Sequence, residues 1–199
     1  MKTSSRRANM RQAILDTSAK LIQKKGIEAL TLREIGVRLG VSRMAPYRHF
    51  ADKSALLAAL SEVGFTKFAD TLEEAYAAAR PAFPDRLAAL GLAYLRFAAK
   101  YQAHYQVMFA WATKTGEGEE VWSAPALRSF AILEQTIREG QLAGQVRPGD
   151  PADFARIVWA TSHGLALLQL ETGLCDGGPA SGLSTLCSEV LLHGLSTQG

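Results

Sequence analysis

The chain is poor in the features that mark membrane, secreted and β-rich proteins. Its 199 residues include two cysteines, Cys175 and Cys187, without the spacing of a disulfide framework, so we expect reduced thiols in a cytosolic protein. No apolar run approaches the roughly 18 residues of a membrane-spanning helix. The basic N-terminus MKTSSRRANMRQ lacks the apolar core of a signal peptide. Strand-like alternation is also absent, and these absences together predict an all-α protein of the cytoplasm.

The motifs of common enzymes and metal sites are absent as well. The chain has no H-E-x-x-H sequence, no nucleophile elbow and no phosphate-binding glycine loop behind a strand. The glycine-rich stretch GLCDGGPASG lies between two predicted helices and is interpreted as a linker. His163, Cys175, Cys187 and His193 match no common zinc spacing. We therefore predict no enzyme, no metal site and no cofactor.

Charge is distributed unevenly along the chain. Residues 1–53 hold 12 Lys or Arg against 4 Asp or Glu, a net of +8, whereas residues 54–199 hold 10 against 15, a net of −5. This split indicates a basic module for a polyanion, joined to a body with another task. A solvated basic face without a partner is the alternative. We accordingly predict two domains, 1–53 and 54–199.

The segment 31–53, TLREIGVRLGVSRMAPYRHFADK, has the pattern of two short helices around a tight turn. Thr31 followed by Glu34 forms a capping box at the start of the first helix. Gly40 can adopt the positive φ that ends it, and Ser42 can cap the second helix. In a helix-turn-helix of this kind the second helix faces the DNA major groove. The segment therefore predicts double-stranded DNA as a partner.

Two kinds of DNA contact are expected, because phosphate contacts position a protein and base contacts give specificity. Arg43 and Met44 are candidates for reading bases, with Arg48 as a helper, since arginine binds guanine and an apolar side chain can meet a thymine methyl group. The candidates for phosphate contact carry donors close to helix ends, and they are Thr31, Ser42, Tyr47, His49 and Lys53. Tyr47 has the alternative of packing into the core.

Two further local features bear on DNA binding. Arg6 and Arg7 precede a first helix predicted at about residues 9–25, as an arm for the adjacent minor groove or as a disordered basic tail. Pro46 removes an intrahelical hydrogen bond and disfavours α geometry at Ala45. The second helix of the motif is therefore expected to be tight, or of the 3₁₀ type, in its first turn.

The motifs T-x-x-x-I, L-G-V-S and Y-R-H-F with a lysine three residues on resemble the DNA-binding signature of the tetracycline-repressor (TetR) family of bacterial regulators. In WATSHGLALL, the residues Trp159, His163 and Gly164 resemble the Trp-His-Gly subclass of TetR C-terminal domains, and HYQVMF at 104–109 fits the same subclass. The resemblance implies a three-helix DNA-binding domain followed by a helical bundle. It also implies phosphate contacts from Tyr47, His49 and Lys53.

Helical periodicity continues through the body, which brings the prediction to about nine helices. A set of aromatic residues in the body is typical of a ligand pocket between helices, with ordinary core packing as the alternative for each. The set comprises Phe97, Tyr101, Tyr105, Phe109, Trp111, Trp122 and Phe130.

A small DNA-binding head is expected to act as a homodimer on two half-sites. The resemblance implies that the last two helices of each chain form the dimer interface, with core packing as the alternative for any one residue. The candidates are Ile157, Trp159, His163, Leu167, Leu186 and Val190. We predict a repressor that leaves a palindromic operator when a small apolar ligand binds. The alternatives are a ligand-independent DNA-binding protein and an activator.

Overall fold

The computed structural model describes residues 2–112, 122–172 and 182–197, most of which lie in eight α-helices. The helices are α1 (Lys2–Lys25), α2 (Leu32–Arg38), α3 (Lys53–Ala78), α4 (Phe83–Lys100), α5 (Gln102–Ala112), α6 (Ala124–Leu142), α7 (Pro151–Glu171) and α8 (Gly182–Leu195). These residues form no β-strand, and a single bridge pairs Val146 with Ser196. Among them no helix has the length and apolar character needed to cross a bilayer. The all-α fold is confirmed.

The described residues divide into two compact units. Residues 2–64 and 102–112 form the first unit, and residues 65–101, 122–172 and 182–197 form the second. Helix α3 thus begins in the first unit and continues in the second, while α5 belongs to the first. The functional boundary after residue 53 stays a prediction.

The first unit is built around aliphatic side chains from α1, α2 and the beginning of α3. Helix α1 buries Ile14, Leu15, Leu21 and Ile22, two adjacent pairs that lie seven residues, or two helical turns, apart on one helix face. Burial of each such side chain contributes roughly 1.5–3 kcal/mol. The buried Ser18 donates to the Ile14 carbonyl oxygen at 2.7 Å, so its hydroxyl is satisfied within the helix.

Two predicted helix boundaries in this unit are wrong. Helix α1 begins at Lys2 rather than near residue 9, so the backbone at Arg6 and Arg7 is helical and not an arm. No proline or glycine interrupts residues 2–25, and a helix can therefore continue through them. The predicted helix from Ser42 is replaced by turns and a short 3₁₀ helix, Pro46–Arg48. The tight, 3₁₀-type geometry expected around Pro46 is thereby confirmed.

The second unit packs α4, α6, α7 and α8 with the later part of α3. Its centre is aromatic: the Phe68 ring lies 5.0 Å from the Tyr94 ring and 4.9 Å from the Phe97 ring, measured between centroids. Asp150 caps α7, because its Oδ1 accepts from the Ala152 N–H at 2.9 Å. These contacts hold the helices of the second unit in place.

A half-buried polar network joins three helices of the second unit. The Arg86 guanidinium on α4 pairs with the Glu139 carboxylate on α6 and lies 4.1 Å from the centroid of the Tyr76 ring on α3. Tyr76 donates to Glu139 Oε2 at 2.7 Å, and Gln135 donates to Oε1 at 2.8 Å. Burial alone would raise the pKa of Glu139, but these hydrogen bonds and the Arg86 charge outweigh it and lower that pKa.

Candidate nucleic-acid interface and effector pocket

Helix α2 has defined ends that set the start of the DNA-binding segment. The Thr31 hydroxyl oxygen accepts from the Glu34 N–H at 3.2 Å, as a capping residue should. At the other end Gly40 has φ +65°, and the Val41 N–H donates to the Gly36 carbonyl oxygen at 3.0 Å. The predicted start and stop signals of this helix are confirmed.

Residues 42–50, which we term the recognition segment, form consecutive tight turns. The Ala45 N–H donates to the Ser42 carbonyl oxygen at 2.9 Å, and the His49 N–H donates to the Pro46 carbonyl oxygen at 2.9 Å. Pro46 has no N–H to give to Ser42, so a regular α-helical ladder cannot run through it. Ala45 nevertheless has α geometry, with φ −61° and ψ −42°, contrary to the expectation from the following proline.

Gly36 holds the recognition segment against α2, a role that the sequence analysis missed. A Cβ atom at Gly36 would lie 3.0 Å from the Ser42 carbonyl oxygen and 3.2 Å from the Arg43 Cα. Both neighbours are backbone atoms, so they cannot move without shifting the segment. A buried glycine inside a helix, where it costs about 1 kcal/mol relative to alanine, was the available signal.

The recognition segment exposes its candidate DNA contacts and buries its apolar anchors. Arg43 and Arg48 are exposed, Met44 is 61% exposed and Tyr47 is 38% exposed. Pro46 and Phe50 are buried. Thr31 and Ser42 are also exposed. The base-reading candidates and the phosphate candidates Thr31, Ser42 and Tyr47 are therefore accessible. His49 is only partly exposed.

Helix α1 brings two arginines to the end of the recognition segment. The Arg11 guanidinium lies 5.1 Å from the centroid of the Phe50 ring. Burial of the His49 imidazole, together with the charges of Arg7 and Arg11, lowers the pKa of His49. Arg7 is exposed, and the side chain of Arg6 lies outside the described residues. Arg11 was missed, although its spacing of four from Arg7 places both on one helix face.

Lys53 lies at the start of α3 and is only partly exposed. Its Nζ donates to the Glu28 carbonyl oxygen at 3.3 Å. The preceding Asp52 caps the helix, with its Oδ1 accepting from the Ala55 N–H at 2.8 Å. The Lys53 ammonium is thus held near the loop that leads into α2.

The predicted aromatic set is divided between the two units. Tyr105 and Phe109 belong to the first unit, where their ring centroids are 5.0 Å apart, and Tyr105 is buried. Phe97 and Tyr101 pack against each other in the second unit at 5.0 Å. The side chain of Trp111 lies outside the described residues. Each of these four rings therefore packs against another ring of the set within its own unit.

The other two predicted aromatic residues line a pocket in the second unit. This pocket has a volume of about 370 Å³ and is lined by Trp122, Ala126, Leu127, Phe130, Arg156 and Trp159. Pockets for small ligands commonly fall in the range of about 300–1,000 Å³ with mostly apolar walls. Arg156 and Trp159 are pocket residues that the aromatic pattern did not assign to it.

Helices α7 and α8 expose aliphatic side chains of the predicted dimer interface. Ile157, Leu186 and Val190 are each more than half exposed. The Trp159 ring instead packs 5.8 Å from Phe68, measured between centroids, and so lies on the inner side of α7.

His163 and Leu167 are half-buried rather than exposed. His163 Nδ1 lies 3.1 Å from the Tyr94 hydroxyl oxygen, and burial lowers the pKa of this histidine. The dimer candidates therefore do not all share one helix face.

Cys187 on α8 is a free, partly buried thiol, whereas Cys175 lies outside the described residues. No three His, Cys, Asp or Glu side chains of the described part cluster as metal ligands would.

Residues 14–60 match the bacterial regulatory proteins of the tetR family, and residues 87–187 match the tetracyclin repressor-like C-terminal domain. The chain belongs to the TetR family. Both matched models describe regulatory or repressor-like proteins, so the chain is a regulator of this family. The Trp-His-Gly subclass stays a prediction.

Similar proteins agree with this TetR-family assignment. The class C tetracycline repressor of Escherichia coli is 45% identical over 56 residues, which span 28% of this chain and 26% of that repressor. A solved protein of unknown function from Rhodococcus sp. RHA1 is 33% identical, with a TM-score of 0.84 over 94% of this chain and 95% of the other. SmeT in complex with triclosan shares the fold at 23% identity, with a TM-score of 0.65 over 95% and 92% of the two chains.

Proposed function

We propose that this TetR-family protein is a homodimeric repressor that binds a palindromic operator and leaves it when a small molecule occupies the second unit. The observation that carries the DNA-binding part is the recognition segment, whose backbone is fixed on α2 at Gly36 while Arg43, Met44 and Tyr47 stay exposed. A rigid backbone with exposed side chains is what specific contacts in a groove require.

Within this proposal the candidate residues divide into two roles. Arg43 and Met44 read bases, with help from Arg48, because their side chains extend from the recognition segment without a fixed partner among the described residues. The remaining residues contact phosphates, since they offer hydroxyl, imidazole, ammonium or guanidinium donors close to the segment. They are Thr31, Ser42, Tyr47, His49, Lys53, Arg7 and Arg11.

A second copy of the chain covers the exposed aliphatic face of α7 and α8 in the proposed dimer. Ile157 and Leu168 share one face of α7, and Leu183, Leu186 and Val190 share one face of α8. Contiguous exposed apolar residues on two neighbouring helices favour a protein interface. Twofold pairing of this face gives two DNA-binding heads, which suits a palindromic site.

The effector occupies the pocket lined by Trp122, Phe130 and Trp159. Its size and apolar walls support a small-molecule site, and the solved complex of SmeT with triclosan is an example of a bound small molecule in this fold. The ligand acts by binding the released conformation more tightly than the operator-bound one. Helix α3 runs from the first unit into the second and is the proposed connection.

We place this regulator in the cytoplasm, where bacterial DNA is found. Its basic first fifty-three residues and its low number of cysteines, two in 199 residues, are consistent with that compartment. Activation instead of repression depends on the position of the operator relative to its promoter, so a reporter fused to the recovered operator distinguishes the two.

Selection from a random duplex DNA pool tests the proposal. The wild-type chain should recover an inverted repeat, and the double variant Arg43→Ala, Met44→Ala should lose specificity for the same bases. Arg138→Ala serves as the matched control, because Arg138 is an exposed arginine on α6 paired with Glu134.

Recovery of DNA without symmetry by the wild-type chain would contradict a specific dimeric repressor. Once an operator is known, release is measured by titrating small molecules into the complex. An operator complex that no pocket ligand weakens would support the ligand-independent alternative.

A further inference from the structure

The six side chains that line the 370 Å³ pocket include hydrogen-bond donors but no hydrogen-bond acceptor. We propose that the natural effector is an aromatic carboxylate, bound with its ring among the tryptophans and its carboxylate on Arg156. This inference rests on the proposed function, because it assigns a chemical class to the ligand of that pocket.

The polar side chains that line the pocket can donate hydrogen bonds but cannot accept them. Trp122 and Trp159 each carry an indole N–H, which donates and cannot accept, and Arg156 carries only N–H donors. Ala126, Leu127 and Phe130 contribute no polar side-chain atom. The backbone carbonyls of the other five lining residues, all except Trp122, lie in α6 and α7, where helical hydrogen bonds use them. A ligand that must donate a hydrogen bond finds no side-chain partner here.

Charge selects an anion over a neutral acceptor. Arg156 is the one charged residue among the six lining residues, and none of them is an aspartate or glutamate. Its Nη1 pairs with Asp153, one turn earlier on the exposed surface of α7. Within the described residues no other carboxylate pairs with it, so Nη2 and Nε remain for a ligand. A guanidinium binds a carboxylate with two parallel hydrogen bonds.

The aromatic walls favour a flat ring as the body of the ligand. Trp159 is held edge-on by Phe68 and Tyr94, with centroids 5.8 Å and 5.7 Å away, and Phe130 lies 6.0 Å from it. Trp122 is held edge-on by Phe65 at 6.2 Å. These contacts orient the two indoles before a ligand arrives, which reduces the entropy lost on binding.

Isothermal titration with three probes of one shape tests the assignment. The probes are 2-naphthoate, 2-naphthamide and protonated 2-naphthylmethylamine, which differ in the charge and donor character of a single group. We expect naphthoate to bind about tenfold more tightly than the amide, and the ammonium compound to bind weakest. Arg156→Gln should weaken naphthoate about tenfold and leave the amide within about twofold.

Arg138→Gln is the matched control, since Arg138 is also an exposed arginine in a local ion pair but does not line the pocket. It should leave all three affinities unchanged. Arg156→Lys should retain part of the preference for naphthoate, because the charge remains and the bidentate geometry is lost.

Equal binding of the amide, preference for the ammonium compound, or no binding of any probe at millimolar concentration would each overturn the carboxylate assignment. An equal loss of affinity for naphthoate and for naphthamide in Arg156→Gln would overturn the assignment as well. The proposed function fails by a different observation, namely that the wild-type chain recovers no operator. The two failures are therefore distinguishable.

Discussion

The recognition segment and the outer face of α7 and α8 both point side chains away from their own unit, but the chemistry of those side chains is opposite. The segment exposes Arg43, Tyr47 and Arg48, whereas the helices expose Ile157 and Val190. An exposed arginine is well solvated in water, so its position alone requires no partner. A contiguous aliphatic face loses free energy in water and gains it when a second surface covers it.

The glycine beside the recognition segment and the glycines on the outer face of α7 and α8 have different surroundings. A Cβ at Gly36 would meet backbone atoms of the recognition segment at 3.0 Å and 3.2 Å. A Cβ at Gly164 or Gly194, on α7 and α8, would meet no atom within 4 Å. The first glycine is therefore needed by the chain's own fold. The other two leave room for close approach by another helix, which supports pairing of this face with a second copy.

The largest expected effect comes from placing a charge on the aliphatic face. Val190 is 63% exposed, so Val190→Glu should leave the folded protomer intact. In a twofold dimer the substitution buries an unpaired carboxylate twice, and the dimer dissociation constant should rise about a thousandfold or more. Sedimentation equilibrium measures this directly.

Leu142→Glu is the matched control, because Leu142 is 84% exposed at the end of α6 and outside the proposed interface. It should leave the dimer intact. If Val190→Glu remains dimeric, another surface joins the protomers. The aliphatic face of α7 and α8 would then not be the dimer interface.

Gly36→Ala tests whether DNA binding depends on the close packing of the recognition segment against α2. The added methyl group should push Ser42 and Arg43 away from α2, and operator affinity should fall about tenfold, as for the loss of one good base contact. Thermal stability should change less, because alanine is also the better helix former by about 1 kcal/mol. Operator binding and circular dichroism melting measure the two effects separately.

Gly91→Ala is the corresponding control in α4, since a Cβ there would meet Ser188 Oγ at an ordinary 3.9 Å. It should leave operator affinity unchanged. Full operator affinity in Gly36→Ala would mean that the position of the recognition segment on α2 is not what the DNA contacts depend on.

The features that sequence predicted well depend on residues close together in the chain. Thr31 accepts from the N–H three residues on and the Gly40 N–H donates to the carbonyl three residues back, so local hydrogen-bond chemistry identifies both. The DNA-binding motif was recognisable for the same reason, because its cap, turn and basic residues lie within one short segment.

The features that sequence missed depend on distant parts of the chain. Nothing in the order of residues indicates that Arg11 reaches the Phe50 ring, or that Arg156 joins Trp122 at one pocket. The aromatic residues of the body look like one set in sequence, yet Tyr105 lies in the first unit and Phe130 in the second. Packing of whole helices decides such positions, and local propensity does not encode it.

A smaller expected effect is a difference in salt dependence between operator binding by the recognition segment and dimerisation through α7 and α8. Operator binding should weaken steeply with ionic strength because phosphate contacts release counterions, whereas dimerisation through aliphatic residues should change little. Arg11→Gln should lower the slope of log affinity against log salt by about one if Arg11 contacts a phosphate. Arg138→Gln should leave that slope unchanged. An unaltered slope in Arg11→Gln would remove Arg11 from the interface and leave it as a packing partner of Phe50.

The smallest expected effect concerns His163, whose pKa is lowered from 6.5 by burial beside Tyr94. Above pH 6.5 this imidazole is neutral in both the folded and the unfolded chain, and it adds no pH dependence. Below pH 6.5 the unfolded chain takes up a proton that the folded chain resists, so the free energy of unfolding falls. His163→Gln should flatten this acid-side fall, measured as Tm between pH 7.5 and 5.5, where each kcal/mol corresponds to roughly 2–4 °C.

His49 also has a lowered pKa, so the wild-type fall contains contributions from both histidines and His163→Gln should remove only part of it. The exposed His193→Gln is the control and should keep the wild-type profile. If His163→Gln follows the wild-type curve at every pH, burial of His163 contributes nothing to acid sensitivity. The charged region around His49, Arg7 and Arg11 would then carry that sensitivity, and the two regions would differ in their response to protons as they do in their response to salt.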